Sequence, residues 1–197
     1  MAKLVRDDID KFFEYGIDLS SKTLYMGSLE EDWDGGEAGV DFRMARNVVQ
    51  GLLVLDNIKK EEPLTIIMNN PGGDWYHGIA IYDAIKACES KVIIKAFGHA
   101  MSMGSIILQA ADERVMSPNA KMMIHYGYCG HFGTSKNHLV WAEEEKKVMK
   151  DMENIYLEKI HQKDPKFTRT KLRKMLDPDT ILTAQEAIDL GLADSVL

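Results

Sequence analysis

Residues 98–104 read GHAMSMG, one hydroxyl between two methionines with a glycine at each end. A serine on a sharp strand-to-helix turn can be a nucleophile, or simply a small residue in a crowded place. The hydroxyl is a weak nucleophile and needs a base within hydrogen-bond reach, oriented by a third group. Six histidines are available. His125 ends the apolar stretch KMMIH and is followed by a glycine-flanked turn, the kind of strand end that presents reactive groups. A purely structural His125 is an equal reading. His77 begins a helical stretch, and His99, three residues before Ser102, points away from it. His131, His138 and His161 fall in a loop or on a long charged helix, where solvated roles are expected. For the third group, LDPDTILTAQEA offers Asp177 and Asp179, and an Asp beside Pro equally suits a turn or a helix cap. Residue types alone do not choose between them.

Two turns, NNPGGDW and GHAMSMG, each follow an apolar strand and precede a helix. Glycine-rich turns of this kind expose backbone N–H groups, and a helix start favours negative charge. Side by side they can hold a developing oxyanion, where each donor is worth ~2.7–4 kcal/mol in acyl transfer. The plain alternative is two ordinary tight turns. Of the two cysteines, Cys88 lies in a helical stretch and Cys129 in GYCGHFG. Neither forms a CxxC, so no disulfide framework or zinc signature is present, and nothing near Cys129 marks an activated thiolate. Met101, Met103, Met122 and Met123 suit an apolar substrate groove as well as core filling.

These groups need a scaffold, and apolar periodicity supplies one. KTLYMGS (22–28) predicts a short strand, EEDWDGGEAG (30–39) an exposed acidic loop, and residues 42–60 a helix on Met44, Val48, Leu52 and Leu55. Strands follow at 64–70 and 91–98, with a helix at 76–89 between them on Ile81, Ala84, Ile85 and Cys88. A buried helix is expected over 102–111, two short strands within 113–127, and short helices at 168–176 and 183–191. Residues 135–163 predict one long amphipathic helix with Trp141, Val148, Met152 and Ile155 on its apolar side, long enough to project or meet another subunit. Strand–helix alternation implies an α/β fold with a largely parallel sheet.

The 197 residues fit one domain, 1–197, with 45% hydrophobic and 28% charged residues, an ordinary globular composition. A net charge of −7 argues against nucleic acid or an anionic membrane as the main partner. No apolar run approaches a membrane span, and the charged N-terminus lacks a signal-peptide core, so a cytoplasmic location is expected.

Together these motifs resemble the proteolytic subunit of the Clp protease, a serine peptidase family. GHAMSMG matches its G-x-A-x-S-M-G nucleophile motif, MMIH its base-bearing strand, NPGG its S-P-G-G turn, and DTILTAQEAIDLGLADSVL its acid-bearing segment. The resemblance runs from about Asp41 to the C-terminus, in the order Ser, His, Asp. It implies a fold of repeated β-β-α units shared with crotonases, with residues 135–163 as a handle helix through which two seven-membered rings stack into a homo-oligomeric tetradecamer. It further implies Ser102 as nucleophile, His125 as general base, and Asp179, in register with LTAQEA, as the orienting acid. The N–H groups of Gly73 and Met103 would form the oxyanion hole, and the methionines would line a chamber-facing groove. Substrates would be unfolded polypeptides and peptides delivered by a separate AAA+ unfoldase that uses ATP. The peptidase subunit itself would need no cofactor and no metal.

The sequence also departs from that pattern. Residues 1–40 diverge, with an apparent insertion of about ten residues in EEDWDGGEAGVDF (30–42), and the N-terminal dozen residues do not match the usual axial loop that meets the unfoldase. Asn70 replaces the serine before Pro-Gly-Gly, and no proline follows His125. Two other functions fit parts of the pattern: a non-catalytic ring subunit, and an acyl-CoA hydratase or isomerase of the crotonase type.

Overall fold

Two strands of alternating burial form the centre of the sheet. In β3 (Leu64–Asn70) Leu64, Ile66, Met68 and Asn70 are buried; in β4 (Val92–Met101) Val92, Ile94, Ala96 and Ala100 are. A computed structural model describes residues 6–28, 37–58 and 60–197. The acidic loop expected at 30–39 and the 30–42 insertion fall mostly outside the described residues, as does the start of the N-terminal segment. Residues 6–15 form helix α1 (Arg6–Tyr15), followed by the short β1 (Ile17–Asp18) and β2 (Thr23–Met26).

The sheet runs β1-β2-β3-β4, continues through β5 (Glu113–Met116), and ends at β8 (Ser195–Val196). Pairings from β2 to β8 along this path are parallel, and β1 closes antiparallel on β2. The expected α/β architecture with a largely parallel sheet is therefore present. A branch leaves the end of β4: β6 (Lys121–Ile124) pairs with it in parallel, and β7 (Thr180–Thr183) pairs antiparallel with β6.

Helix α2 (Phe42–Leu55) places Val48, Leu52 and Leu55 in the core with Met44 packed against it, as the spacing predicts. Each such large apolar side chain contributes ~1.5–3 kcal/mol on full burial. Asp41 caps the helix, accepting from the Arg43 and Met44 N–H groups. The helix stops at Leu55 rather than reaching residue 60. There Asn57 and Ile58 close tighter bonds to Val54 and Leu55, and the Asp56 carboxylate accepts from the N–H groups of Glu89 and Ser90. Those bonds tie the end of α2 to the segment after α3 (Trp75–Lys86), whose buried residues include Ile81 and Ile85.

β4 is longer than its sequence suggested. It continues through Gly98, which sits at φ +62°, where the β3–β4 register shifts. The Asn69 side chain accepts from the His99 N–H at 3.2 Å, holding the strand together across the irregularity. β4 therefore runs to Met101 and feeds directly into α4 (Met103–Leu108), every residue of which is buried.

Helix α5 spans Ser135–Lys163, 29 residues, as the sequence predicted. That is about 43 Å at the usual rise. Its packing seam differs from the expected one: Met152, Tyr156, Leu157 and Ile160 are buried, while Trp141 is exposed and Val148 and Ile155 only half-buried. Only the C-terminal half meets the core, so the seam starts at Met152 and the first half lies outside the core. Helix α6 (Arg169–Leu176) folds back beside it, and α7 (Ala184–Leu190) opens with a capping box between Thr183 and Glu186.

Glu153 on α5 joins these elements. Its carboxylate accepts from Arg169 at 2.6 Å, from Arg173 at 2.8 Å and from the Tyr126 hydroxyl at 2.6 Å. Burial opposes its charge, yet the bonds from Arg173, Tyr126 and Arg169 prevail and hold the carboxyl down at about 2. An unfolded Glu titrates near ~4.3. The stabilisation is thus complete above that value and is lost as pH falls toward 2. Glu153→Gln is expected to cost about 1–3 kcal/mol in urea unfolding at pH 7. The gap from the native protein should shrink steadily as pH falls below ~4; a gap independent of pH would remove the charge from this account.

Candidate active site

Three strand ends converge through register. β6 pairs in parallel with the end of β4, Met101 opposite Met123, and the Ser102 N–H donates to the Met123 carbonyl at 2.9 Å. His125 follows β6 immediately. β7 lies antiparallel on β6 with Ile124 opposite Thr180, so the next step along both chains sets His125 against Asp179. Asp177 is excluded by the same register; it ends α6, its N–H donating to the Arg173 carbonyl.

The side chains complete what the strands begin. Ser102 Oγ lies 2.8 Å from His125 Nε2, and His125 Nδ1 lies 2.8 Å from Asp179 Oδ1. A carboxylate only accepts, so Nδ1 carries the hydrogen and Nε2 is free to accept from the serine hydroxyl. The imidazole is largely buried, its side chain 17% exposed, while that of Asp179 is 66% exposed.

Ser102 occupies a strained turn, φ +50° and ψ −121°, between the last strand residue and the first turn of α4. L-residues avoid this region, and a nucleophile on a strand-to-helix elbow is one setting where the strain is retained. The turn is locked from below. Ser105 Oγ donates to the Ser102 carbonyl and shares a 2.6 Å hydrogen bond with the buried Tyr156 hydroxyl of α5.

The Pro-Gly-Gly turn stands against this elbow. Gly72 is at φ +107°, and a Cβ there would lie 2.5 Å from the Ser102 Cβ and 2.9 Å from the Met101 carbonyl oxygen. Glycine is thus required both for the dihedral and for the approach. The Asn70 carboxamide accepts from the Gly72 N–H at 2.9 Å, giving a role to the residue that stands where serine was expected. Val40 bridges the turn, donating to the Gly72 carbonyl and accepting from the Asp74 N–H. That pattern leaves the Gly73 N–H without an acceptor among the described residues. The Met103 N–H opens α4, a position with no intrahelical acceptor.

The remaining histidines lie elsewhere. His99 faces Glu37 at 3.4 Å, His161 bonds the Phe167 carbonyl, and His77 lies beside the Phe42 ring. His131 stacks on Trp141 and pairs with Glu145, and His138 is exposed on the first turn of α5. Cys129 is exposed, and the Glu145 carboxylate beside it raises the thiol above its ordinary range, the reverse of nucleophile activation. The methionine expectation changes: Met103 and Met122 are core residues, 4% and 0% exposed, and only Met101 and Met123 are half-buried. Strand alternation turns Met122 inward, and Met103 packs so tightly on Gly78 that a Cβ there would lie 2.2 Å from its Cγ.

Sequence reasoning missed Tyr126, which follows His125. Its N–H donates to the Leu176 carbonyl at 3.0 Å and its hydroxyl to Glu153, anchoring the chain on the far side of the imidazole. Periodicity carries no signal for such an anchor, because its partners lie on α5 and α6.

Comparison with known proteins places the chain among named relatives. The ATP-dependent Clp protease proteolytic subunit of Deinococcus radiodurans is 34% identical over 160 residues, covering 80% of this chain and 76% of that protein. The ATP-dependent Clp protease proteolytic subunit 2 of Pseudomonas aeruginosa is 32% identical over 161 residues, covering 81% and 77%. The sequence model of the Clp protease family matches residues 37–197, from the described end of the acidic loop through every strand end that meets at Ser102, and the chain belongs to that family.

Proposed function

We propose that this chain is a serine endopeptidase of the Clp type, with Ser102 as nucleophile, His125 as general base and Asp179 as the orienting carboxylate. The observation that carries the reading is the continuous bonded path from Ser102 Oγ through His125 to Asp179, two contacts of 2.8 Å each. In the first step Oγ attacks the scissile carbonyl carbon while His125 Nε2 takes the hydroxyl proton. The imidazolium then gives that proton to the departing amine, and an acyl-enzyme remains. Water repeats the sequence, and Asp179 stabilises each imidazolium without accepting the proton itself. Gly73 and Met103 present N–H groups to the oxyanion, each contributing on the order of 3 kcal/mol to the barrier. Every step is carried by protein groups, and ATP belongs to a separate unfoldase.

Assembly into stacked rings is part of the same proposal. Leu139, Val140 and Trp141 lie exposed on the half of α5 that leaves the core, the kind of apolar patch that marks a contact between chains. Unfolded polypeptides are the proposed substrates, an AAA+ unfoldase the proposed partner, and the cytoplasm the proposed compartment. Among the described residues no helix is long and apolar enough to cross a membrane. A hydratase of the crotonase type, or an idle ring subunit, would leave the bonded serine and histidine without employment.

Ser102→Ala is expected to abolish cleavage of an unfolded polypeptide such as casein while the oligomer elutes unchanged in size-exclusion chromatography. Persisting cleavage would move the nucleophile, and a collapsed oligomer would make Ser102 a packing residue. Asp179→Asn should lower kcat by up to ~10⁴-fold through the wrong histidine tautomer; Asp177→Asn, by contrast, should leave it within a few-fold. Gly72→Ala should cost on the order of 10²-fold in kcat by displacing the elbow, and a rate near the native one would show that the turn has slack.

A further inference from the structure

A second group of reactive side chains lies where the segment after β6 meets α5. The ligand atoms of Cys129, His131 and Glu145 all fall within 4.8 Å of one another. His131 Nε2 is 2.9 Å from Glu145 Oε1, and the Cys129 thiol lies beside the same carboxylate. A thiol, an imidazole nitrogen and a carboxylate thus converge on one space, the one a cation sharing the three donors would take. The imidazole is held in place from behind: its ring stacks on Trp141 with centroids 4.5 Å apart and planes within 11°. Ring orientation is what an outer partner supplies to a metal-ligating histidine.

We propose that Cys129, His131 and Glu145 form a three-ligand site for a borderline-soft divalent cation, Zn²⁺ before others, with a fourth position open to water. A thiolate, an imidazole and a carboxylate make a donor set that suits Zn²⁺ and disfavours Mg²⁺ or Ca²⁺, which select oxygen. Tetrahedral Zn–S, Zn–N and Zn–O bonds of ~2.0–2.3 Å place neighbouring donors about 3.3–3.6 Å apart. The present spacing reaches that range by small side-chain rotations, since Cys129 is exposed and Glu145 only half-buried. Binding releases the thiol proton to solvent and keeps the neutral imidazole's hydrogen on Nδ1, so that Nε2, the thiolate and the Glu145 carboxylate all face the ion. The ion would fasten residues 126–134, the segment that follows His125, to the projecting half of α5. The sequence concealed the site because Cys129-x-His131 has no second short-spaced pair, and its third ligand lies fourteen residues onward.

The test is titration of EDTA-treated full-length protein with ZnSO4 in competition with a chromophoric chelator. One Zn²⁺ per chain is expected, with affinity at least ~10-fold lower in Cys129→Ser and in Glu145→Gln. Substitution with Co²⁺ should give a thiolate-to-metal charge-transfer band in the native protein and none in Cys129→Ser. These surface substitutions should leave the helix content and the metal-free peptidase rate unchanged. Equal affinity in the native protein and Cys129→Ser, or a Co²⁺ spectrum without the band, would overturn the proposal. So would Zn²⁺ retained in Cys129→Ser but lost in His125→Ala, which would place the ion on the catalytic histidine.

Discussion

β4 is shared between two neighbours. Its first half, Ile93–Ala96, pairs with β5, and its last residues, His99–Met101, pair with β6. The sheet therefore divides at Gly98, and the chain between Met116 and Lys121 crosses from one branch to the other. Everything at the site follows from that division. β6 carries His125 to the side of Ser102, β7 returns against β6 to deliver Asp179, and α4 starts where β4 has nowhere further to go. A shift of one residue in the β6–β7 pairing would put every β7 side chain on the opposite face and take Asp179 from the imidazole.

The site is supported from two further directions. From the core, Tyr156 of α5 holds Ser105 and, through it, the carbonyl of the strained Ser102. From a second buried point on α5, Glu153, one turn earlier, holds Tyr126 beside His125. The same helix that projects away from the core thus braces both Ser102 and the chain beside His125.

Much of this was legible in residue types and spacing. The ends of α5 follow from apolar and charged periodicity, and the central strands from runs such as LTIIMNN and VIIKAF. Ser102 and His125 stood out because glycines and strand ends frame them. The choice of Asp179 over Asp177 was not legible from the residues, since both suit a turn beside proline; strand register decides it, and register is a non-local property. The buried seam of α5 was misplaced because a helix docked along only half its length shows apolar residues on its free half as well. Trp141 belongs to that free half, where a contact outside the chain core, rather than the core itself, accounts for an apolar side chain. The Met103 and Met122 side chains were read toward a groove because sequence gives proximity to Ser102 but not direction.

The central claim is that strand register activates Ser102 through His125. Intact-mass analysis after treatment with a serine-directed fluorophosphonate tests it most directly. The account predicts one adduct per chain in the native protein, none in Ser102→Ala, and labelling slowed by orders of magnitude in His125→Ala. Equal labelling of the native protein and Ser102→Ala, or a rate indifferent to His125, would contradict it.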